Sequence, residues 1–256
     1  MELLESHAHY NDEKFDDDRD TIIKEAYNSG ITTIINAGYS LESSKKAIEI
    51  ANQYKFMYAT VGVSPNDIED LKGNYIEDIE ELAKSYKVVA IGEIGLDYYW
   101  NKENKEKQKE IFMEQIKLAN KLDLPIVIHT REAVMDTIDI LKKIECKKRG
   151  VFHCCPLNRE LVKEALKLGF YISFAGPVTF KNSKNAAEII NLVPIERILI
   201  ETDSPYLSPE PVRGTRNDSR NVKYIAQKIA DIKGLTVEEI AKQTYKNAQK
   251  IFERKI

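Results

Sequence analysis

The sequence predicts an α/β fold, a (β/α)8 barrel (TIM-barrel architecture), with residues 1–256 forming one domain. Two observations lead there. Short runs rich in Val, Ile and Leu alternate with helix-like patterns from one end of the chain to the other, and eight such runs are present. Residues of metal-ligand type close five of those runs, and a closed ring is the arrangement that brings five strand ends to one mouth. A doubly wound open sheet is the alternative, but it strings the same side chains out along an edge.

The strand candidates, in order, are Leu3–Ser6, Thr32–Asn36, Met57–Gly62, Val88–Glu93, Ile126–His129, Val151–His153, Tyr171–Phe174 and Ile198–Glu201. Each is short and apolar or β-branched, as expected of strands buried on both faces. Between them, Ile22, Ile23, Ala26 and Tyr27 recur at helical spacing before Gly30, a helix stop. Ser40 caps a helix that turns Ala47, Ile48, Ile50 and Ala51 inward. Ile111, Phe112, Gln115, Ile116, Ala119 and Leu122 form a long stripe ended by Pro125. Leu161, Val162, Ala165 and Leu168 precede Gly169. Thr236-Val237-Glu238-Glu239 reads as a capping box. No repeat, linker or low-complexity tract interrupts the series.

Composition narrows the class. With 43% hydrophobic residues the chain can bury a sizeable core. No run of 18 apolar residues exists, so no membrane span is expected. The strand-like run begins almost at Met1, so no signal peptide is expected either. The three cysteines, Cys146, Cys154 and Cys155, have no paired spacing. A disulfide framework is not expected, and a cytoplasmic location fits. The net charge of -3 and the lack of a basic block argue against tight, sequence-independent duplex binding.

The chemistry gathers at the strand ends. All four histidines close apolar runs: His7 and His9 after the first, His129 after the fifth and His153 after the sixth. Glu93 closes the fourth and Asp203 follows the eighth. A lone histidine at a strand end is usually a hydrogen-bonded structural residue, and a His-x-His pair signals only a shared face. Six imidazole and carboxylate groups at five ends are the ligand set of zinc, manganese and similar ions.

Six ligands exceed what one tetrahedral site takes and divide between two divalent metal ions. His7, His9 and Asp203 hold one and His129 and His153 the other, with Glu93 as bridge. Two ions roughly 3.5–4 Å apart clamp the attacking and leaving oxygens of an in-line displacement and lower the pKa of a water toward about 7. Asp203 then handles that water's proton and, with Glu93, carries catalysis. Mg2+, Mn2+ and Zn2+ all remain open.

Other residues cluster nearby. Asp97 either orients a ligating histidine or caps the following helix. Tyr98, Tyr99 and Trp100 either stack on bases or pack at the rim. Arg131 and Arg213 are candidate phosphate contacts, and Cys154 and Cys155 read as buried thiols.

Several segments together are specific: Ser6-His7-Ala8-His9, Ile91-Gly92-Glu93-Ile94-Gly95-Leu96-Asp97-Tyr98-Tyr99, Pro125-Ile126-Val127-Ile128-His129-Thr130-Arg131-Glu132-Ala133, and Ile200-Glu201-Thr202-Asp203-Ser204-Pro205-Tyr206-Leu207 followed by Arg213-Gly214-Thr215-Arg216-Asn217. They resemble the TatD family of metal-dependent deoxyribonucleases over essentially the whole chain. The resemblance implies a metal-dependent hydrolase with a DNA or oligonucleotide substrate, cut often as a 3′–5′ exonuclease on single strands. The family's ligands map onto His7, His9, Glu93, His129, His153 and Asp203.

The chain departs from the family pattern at Ser64, where a histidine is usual, at Glu5, at Cys155-Pro156-Leu157 and at Ser219. Ser64 hydrogen-bonds a phosphate but carries no proton as imidazole does. Ser64, Arg131, Arg213 and Asn217 are the candidate substrate contacts.

Two other functions stay open: a metal-dependent ester or amide hydrolase, such as an aminoacyl-tRNA deacylase, and a non-enzymatic scaffold with structural metals. Many barrel hydrolases of the first kind bridge their metals with a modified lysine where Glu93 stands here. The scaffold reading would be favoured by a missing ligand, and none is missing. No obligate protein partner is implied.

Overall fold

The computed structural model describes residues 1–69 and 71–253. Eight parallel strands neighbour one another in sequence order: β1 (Leu3–Ala8), β2 (Ile31–Ala37), β3 (Met57–Val61), β4 (Val88–Asp97), β5 (Ile126–Arg131), β6 (Gly150–Phe152), β7 (Tyr171–Phe174) and β8 (Ile198–Ile200). The ring closes beyond the last regular pairing. Ser6 Oγ donates to Ile200 O at 2.9 Å, Asp203 N to His7 O at 3.0 Å, and His9 N to Ser204 O at 2.7 Å.

The eight sequence runs correspond to the eight strands, with shifted ends. β4 runs on to Asp97, four residues past Glu93. Gly95 permits this. Its φ is +143°, and a Cβ there would lie 1.9 Å from the carbonyl oxygen of His129, so no other residue fits against β5. β6 stops at Phe152, one residue before His153, whose N–H still donates to Ile128 O at 3.0 Å.

Helices α1 (Arg19–Asn28), α2 (Leu41–Gln53), α3 (Tyr75–Leu82), α4 (Lys105–Leu122), α5 (Val134–Lys143), α6 (Arg159–Lys167), α7 (Ala186–Leu192), α8 (Val222–Lys233) and α9 (Val237–Ile251) surround the ring. The Ser40 cap and the Thr236–Glu239 capping box form as the sequence predicts. Helices α3, α5, α7 and α8 add to those marked in the sequence. Tyr27, at helical spacing with Ile22, Ile23 and Ala26, is exposed and stacks on Phe56 at 4.3 Å, while those three are buried.

The two faces of the strands feed two cores. One face packs against the helix ring through residues such as Ile34, Ile126, Ile128 and Ile198. The other fills the lower barrel with Leu4, Ile35, Val89, Val127, Val151 and Leu199, and Ala248 and Ile251 of α9, with Phe252 just after it, plug that end. Each fully buried Leu, Ile, Val or Phe contributes roughly 1.5–3 kcal/mol. At the plugged end the polar groups Thr33 and Tyr245 satisfy each other through a 2.8 Å hydrogen bond, and the ligand-type side chains gather at the opposite end, where the strands stop.

Candidate metal centre

All six ligand-type residues meet at the C-terminal mouth of the ring. His7 and His9 stand at the end of β1, where the pairing with β2 slips between Glu5 and Ala8. Such an irregularity re-aims side chains. Their Nε2 atoms are 3.2 Å apart. Glu93 sits where the β4–β5 register slips between Ile91 and Ile94, and its N–H donates to Gly38 O at 2.8 Å.

The Glu93 carboxylate is splayed between two sets of imidazoles. Oε2 lies 3.4 Å from His7 Nε2 and 3.6 Å from His9 Nε2; Oε1 lies 3.0 Å from His129 Nδ1 and 3.4 Å from His153 Nε2. Asp203 Oδ1 completes the first set, 3.2 Å from His9 Nε2 and 3.8 Å from His7 Nε2. His129 Nδ1 and His153 Nε2 are 3.2 Å apart. The His7 and His153 rings stack with centroids 4.0 Å apart, which joins the two halves.

The outer nitrogens settle what the inner ones do. His9 Nδ1 donates to Ala37 O at 2.9 Å, His129 Nε2 to the Asp97 carboxylate at 2.9 Å, and His153 Nδ1 to Glu201 Oε1 at 3.3 Å. In neutral rings the inner nitrogens are then bare lone pairs. Lone pairs 3.2 Å apart and facing carboxylate oxygens repel unless positive charge lies among them.

These residues fit a divalent cation. Ligand atoms about 2.1 Å from one ion lie roughly 3.0–3.5 Å apart along the edges of its coordination shell; most separations here fall in that range, with His9–Glu93 at 3.6 Å and His7–Asp203 at 3.8 Å just beyond it. Three overlapping groups, His7–His9–Glu93, Glu93–His129–His153 and His7–His153–Asp203, can each hold an ion. His7 Nδ1 is buried without a partner.

Without an ion, protons play the same part. Burial opposes charge on His9, but Asp203 and Glu93 outweigh it and raise its pKa to about 9. His129 is likewise raised against burial by Asp97 and Glu93. His153 lies well above the usual imidazole range, with Glu93 and Glu201 overcoming burial. Burial and the neighbouring His153 charge lower His7 instead. Glu93 is held well below the carboxylate range against burial, chiefly by His153 and His129, and Asp203 is lowered against burial by His9. The centre therefore stores positive charge on imidazoles and negative charge on two acids, the pattern a cation replaces.

A cavity of about 780 Å³ opens over this cluster. One wall is apolar, built by Pro156, Leu157, Pro177, Val178 and Leu207; Trp100 and Arg131 stand in the rim. The Arg131 guanidinium lies 3.8 Å above the Tyr99 ring and pairs with no carboxylate among the described residues. Tyr99 is 45% and Trp100 68% exposed, so neither is core. Tyr98 is buried and donates to Asp136 at 2.6 Å, which makes it packing. Asp97 does both things expected of it in part: Oδ2 takes the His129 proton, while Oδ1 accepts from Tyr99 N and Trp100 N, capping the turn before α4.

Ser64 lines the cavity, but two expected substrate contacts do not. Arg213 stacks on Phe180 at 4.1 Å, outside the lining. Asn217 is fully buried, and its amide donates to Thr202 O at 3.0 Å and Tyr206 O at 2.7 Å. It fastens the loop that carries Asp203. A buried amide with both its hydrogens used inside the loop has none left for a phosphate.

Sequence reading missed Glu201 as a functional group. It directly follows β8, two residues before Asp203, and a carboxylate at the end of a strand was the available signal. Glu5 was noted only as a departure. It is fully buried, accepts from His7 N and Thr202 N, and is raised to about 8, chiefly by burial. Cys155 is buried as expected, whereas Cys154 is only partly buried, and both line the cavity; desolvation raises both thiols.

The ring and the imidazole–carboxylate cluster at its mouth define a metal-dependent hydrolase of the barrel type. The chain belongs to the TatD family: the model described as TatD related DNase matches residues 5–253. It is 43% identical over 251 residues to a Bacillus subtilis (strain 168) protein described as the uncharacterized metal-dependent hydrolase YabD, covering 98% of each chain. It is 36% identical over 261 residues to the Escherichia coli (strain K12) uncharacterized metal-dependent hydrolase YcfH, covering 98% of this chain and 96% of that one. The crystal structure of YJJV, a TatD homologue from Escherichia coli K12, superposes with a TM-score of 0.93 at 25% identity, over 98% of both chains. No helix among the described residues is long and apolar enough to cross a membrane.

Proposed function

We propose that this protein is a phosphodiesterase acting on DNA, releasing nucleotides from the 3′ ends of single strands in the cytoplasm, with residues 1–256 working as one unit. His7, His9 and Asp203 hold one divalent cation, His129 and His153 hold a second, and Glu93 bridges them. The observation that carries the reading is the splayed Glu93, whose two oxygens face two separate imidazole pairs. When bound, Mg2+, Mn2+ or Zn2+ supplies charge for the scissile phosphate and makes a water more acidic. Asp203, with Oδ1 turned into the cluster and its carboxyl lowered by His9, accepts the proton of the attacking water.

Other residues support an oligonucleotide rather than an acyl substrate. Arg131, 3.8 Å over the Tyr99 ring and unpaired with any carboxylate among the described residues, is a ready contact for a flanking phosphate. Trp100 and Tyr99 offer exposed rings for a base, and stacking of this kind contributes about 1–3 kcal/mol per base. The acidic balance favours a chain end over a duplex.

The test is nucleotide release from end-labelled single-stranded DNA with Mg2+ or Mn2+, wild type against Glu93→Ala, with an aminoacyl ester as a second substrate. Equal rates for the two proteins on DNA, or turnover of the ester alone, overturn the proposal.

A further inference from the structure

The cavity over the metal centre has two unlike sides. The loops after β3, β4 and β5 bring polar groups and rings: Ser64, whose hydroxyl donates to Asp67 at 2.6 Å, then Trp100 and Arg131. The loops after β6, β7 and β8 bring Pro156, Leu157, Pro177, Val178 and Leu207. In a closed ring of eight, strands four apart face each other, so β7 and β8 stand across the mouth from β3 and β4. The side chains of the apolar wall contain no hydrogen-bonding atom.

That wall is open to a ligand and held in place. Leu207 is 37% exposed, and Pro156, Leu157 and Pro177 are partly exposed. Apolar surface left open beside convergent polar groups is the make-up of a ligand pocket. Leu207 has φ +53°, backbone that a bulky side chain rarely adopts, and strain of this kind gathers at ligand sites. Its carbonyl lies against Gly176, where a Cβ would come within 1.8 Å of the oxygen. The three loops are tied together. Thr179 Oγ1 donates to Gly176 O at 2.7 Å and accepts from Glu210 N at 2.9 Å. Ser183 Oγ donates to Pro177 O at 2.6 Å, and the Asn185 amide donates to Leu157 O. These bonds occupy carbonyls of the wall, and its prolines have no N–H. A planar group lying on the wall meets carbon rather than donors and acceptors.

A single strand offers one such group per nucleotide, its base. On the opposite rim the exposed rings of Tyr99 and Trp100 let a strand continue past them into solvent. The wall, bonded from Leu157 to Glu210, suits the other end, where the strand stops. We infer that this wall seats the base of the 3′-terminal nucleotide, the one released, and holds it by apolar contact alone. This rests on the phosphodiesterase reading above. All four bases are then accepted, because each has a planar face and no hydrogen-bond pattern is tested. An end without a base is a poor substrate.

The experiment measures kcat/KM on four otherwise identical single-stranded oligonucleotides, one ending in each base, and on a fifth whose 3′-terminal nucleotide lacks its base. The wild type is expected to cleave the four within about fivefold of one another and the baseless end about 10–100-fold less well. Leu207→Ser and Leu157→Ser are each expected to lower kcat/KM about tenfold on the four, chiefly through KM, and less than about twofold on the fifth. A merely structural role would lower all five alike. A baseless end cleaved as well as the others, a preference above about 100-fold for one base, or variants that lose equally on all five overturns the inference. The first two results need only the wild type, so the question is decided even if a variant does not fold. A wild type that cleaves none of the oligonucleotides removes the phosphodiesterase reading itself, a separate result from one that cleaves all five equally.

Discussion

Cation binding ought to stabilise the fold measurably, and Glu93 ought to control all of that gain. An ion at 100 times its dissociation constant stabilises the native state by about 2.7 kcal/mol. Two ions sharing Glu93 contribute about 5 kcal/mol together. For 256 residues the entropy of unfolding near 60 °C is roughly 0.5 kcal/mol per degree. The expected rise in Tm is therefore about 5 °C per ion and about 10 °C for both. Glu93→Ala removes the oxygen that faces His7 and His9 together with the one that faces His129 and His153, so both sites fail at once. Differential scanning calorimetry of chelator-treated protein, with and without Mn2+ or Zn2+, measures the rise. A wild type whose Tm ignores every cation would refute the reasoning. So would a Glu93→Ala variant that keeps the full rise, because the bridging geometry would then carry nothing.

Asp97→Asn is expected to weaken binding at the His129–His153 half about 10–100-fold, since Asp97 fixes the His129 ring; calorimetric titration reads it as one weakened site beside one intact. Arg131→Ala is expected to raise KM for an oligonucleotide several-fold with little change in kcat, and a matching loss on a substrate with no flanking phosphate would contradict it. Asn217→Ala is expected to cost about 1–3 kcal/mol in a urea melt, because four hydrogen bonds of the loop that carries Asp203 pass through its amide. Cys146, raised to about 12 by burial, holds a thiolate fraction of roughly 10⁻⁴ at pH 8; iodoacetamide should spare it in the native protein and modify it after unfolding.

Much of this architecture could be read from the chain. Strands buried on two faces need unbroken apolar runs, so the eight runs stood out, and a metal cluster needs rare residue types, so four histidines at strand ends stood out as well. Caps such as Ser40 and Thr236 are local hydrogen-bond patterns and appear directly in sequence. The short helices α3 and α7 bury only two and three side chains, too few for a clear stripe, whereas α8 carries Val222, Ile225, Ala226, Ile229 and Ala230 at helical spacing. The extension of β4 to Asp97 depends on the close approach of Gly95 to the His129 carbonyl, a contact between distant segments.

By itself the sequence determined the alternation of strands and helices and the six residues able to bind a metal, since periodicity and residue chemistry are written along the chain. Only the folded ring decided how they are used. It divided the oxygens of Glu93 between two imidazole pairs, gave Glu201 and Asp97 to the outer nitrogens, turned Asn217 and Arg213 away from the cavity, and left Asp67 beside a hydroxyl. Most of these depend on where a side chain points relative to residues on other strands and loops of the ring, and closure of the barrel sets that direction.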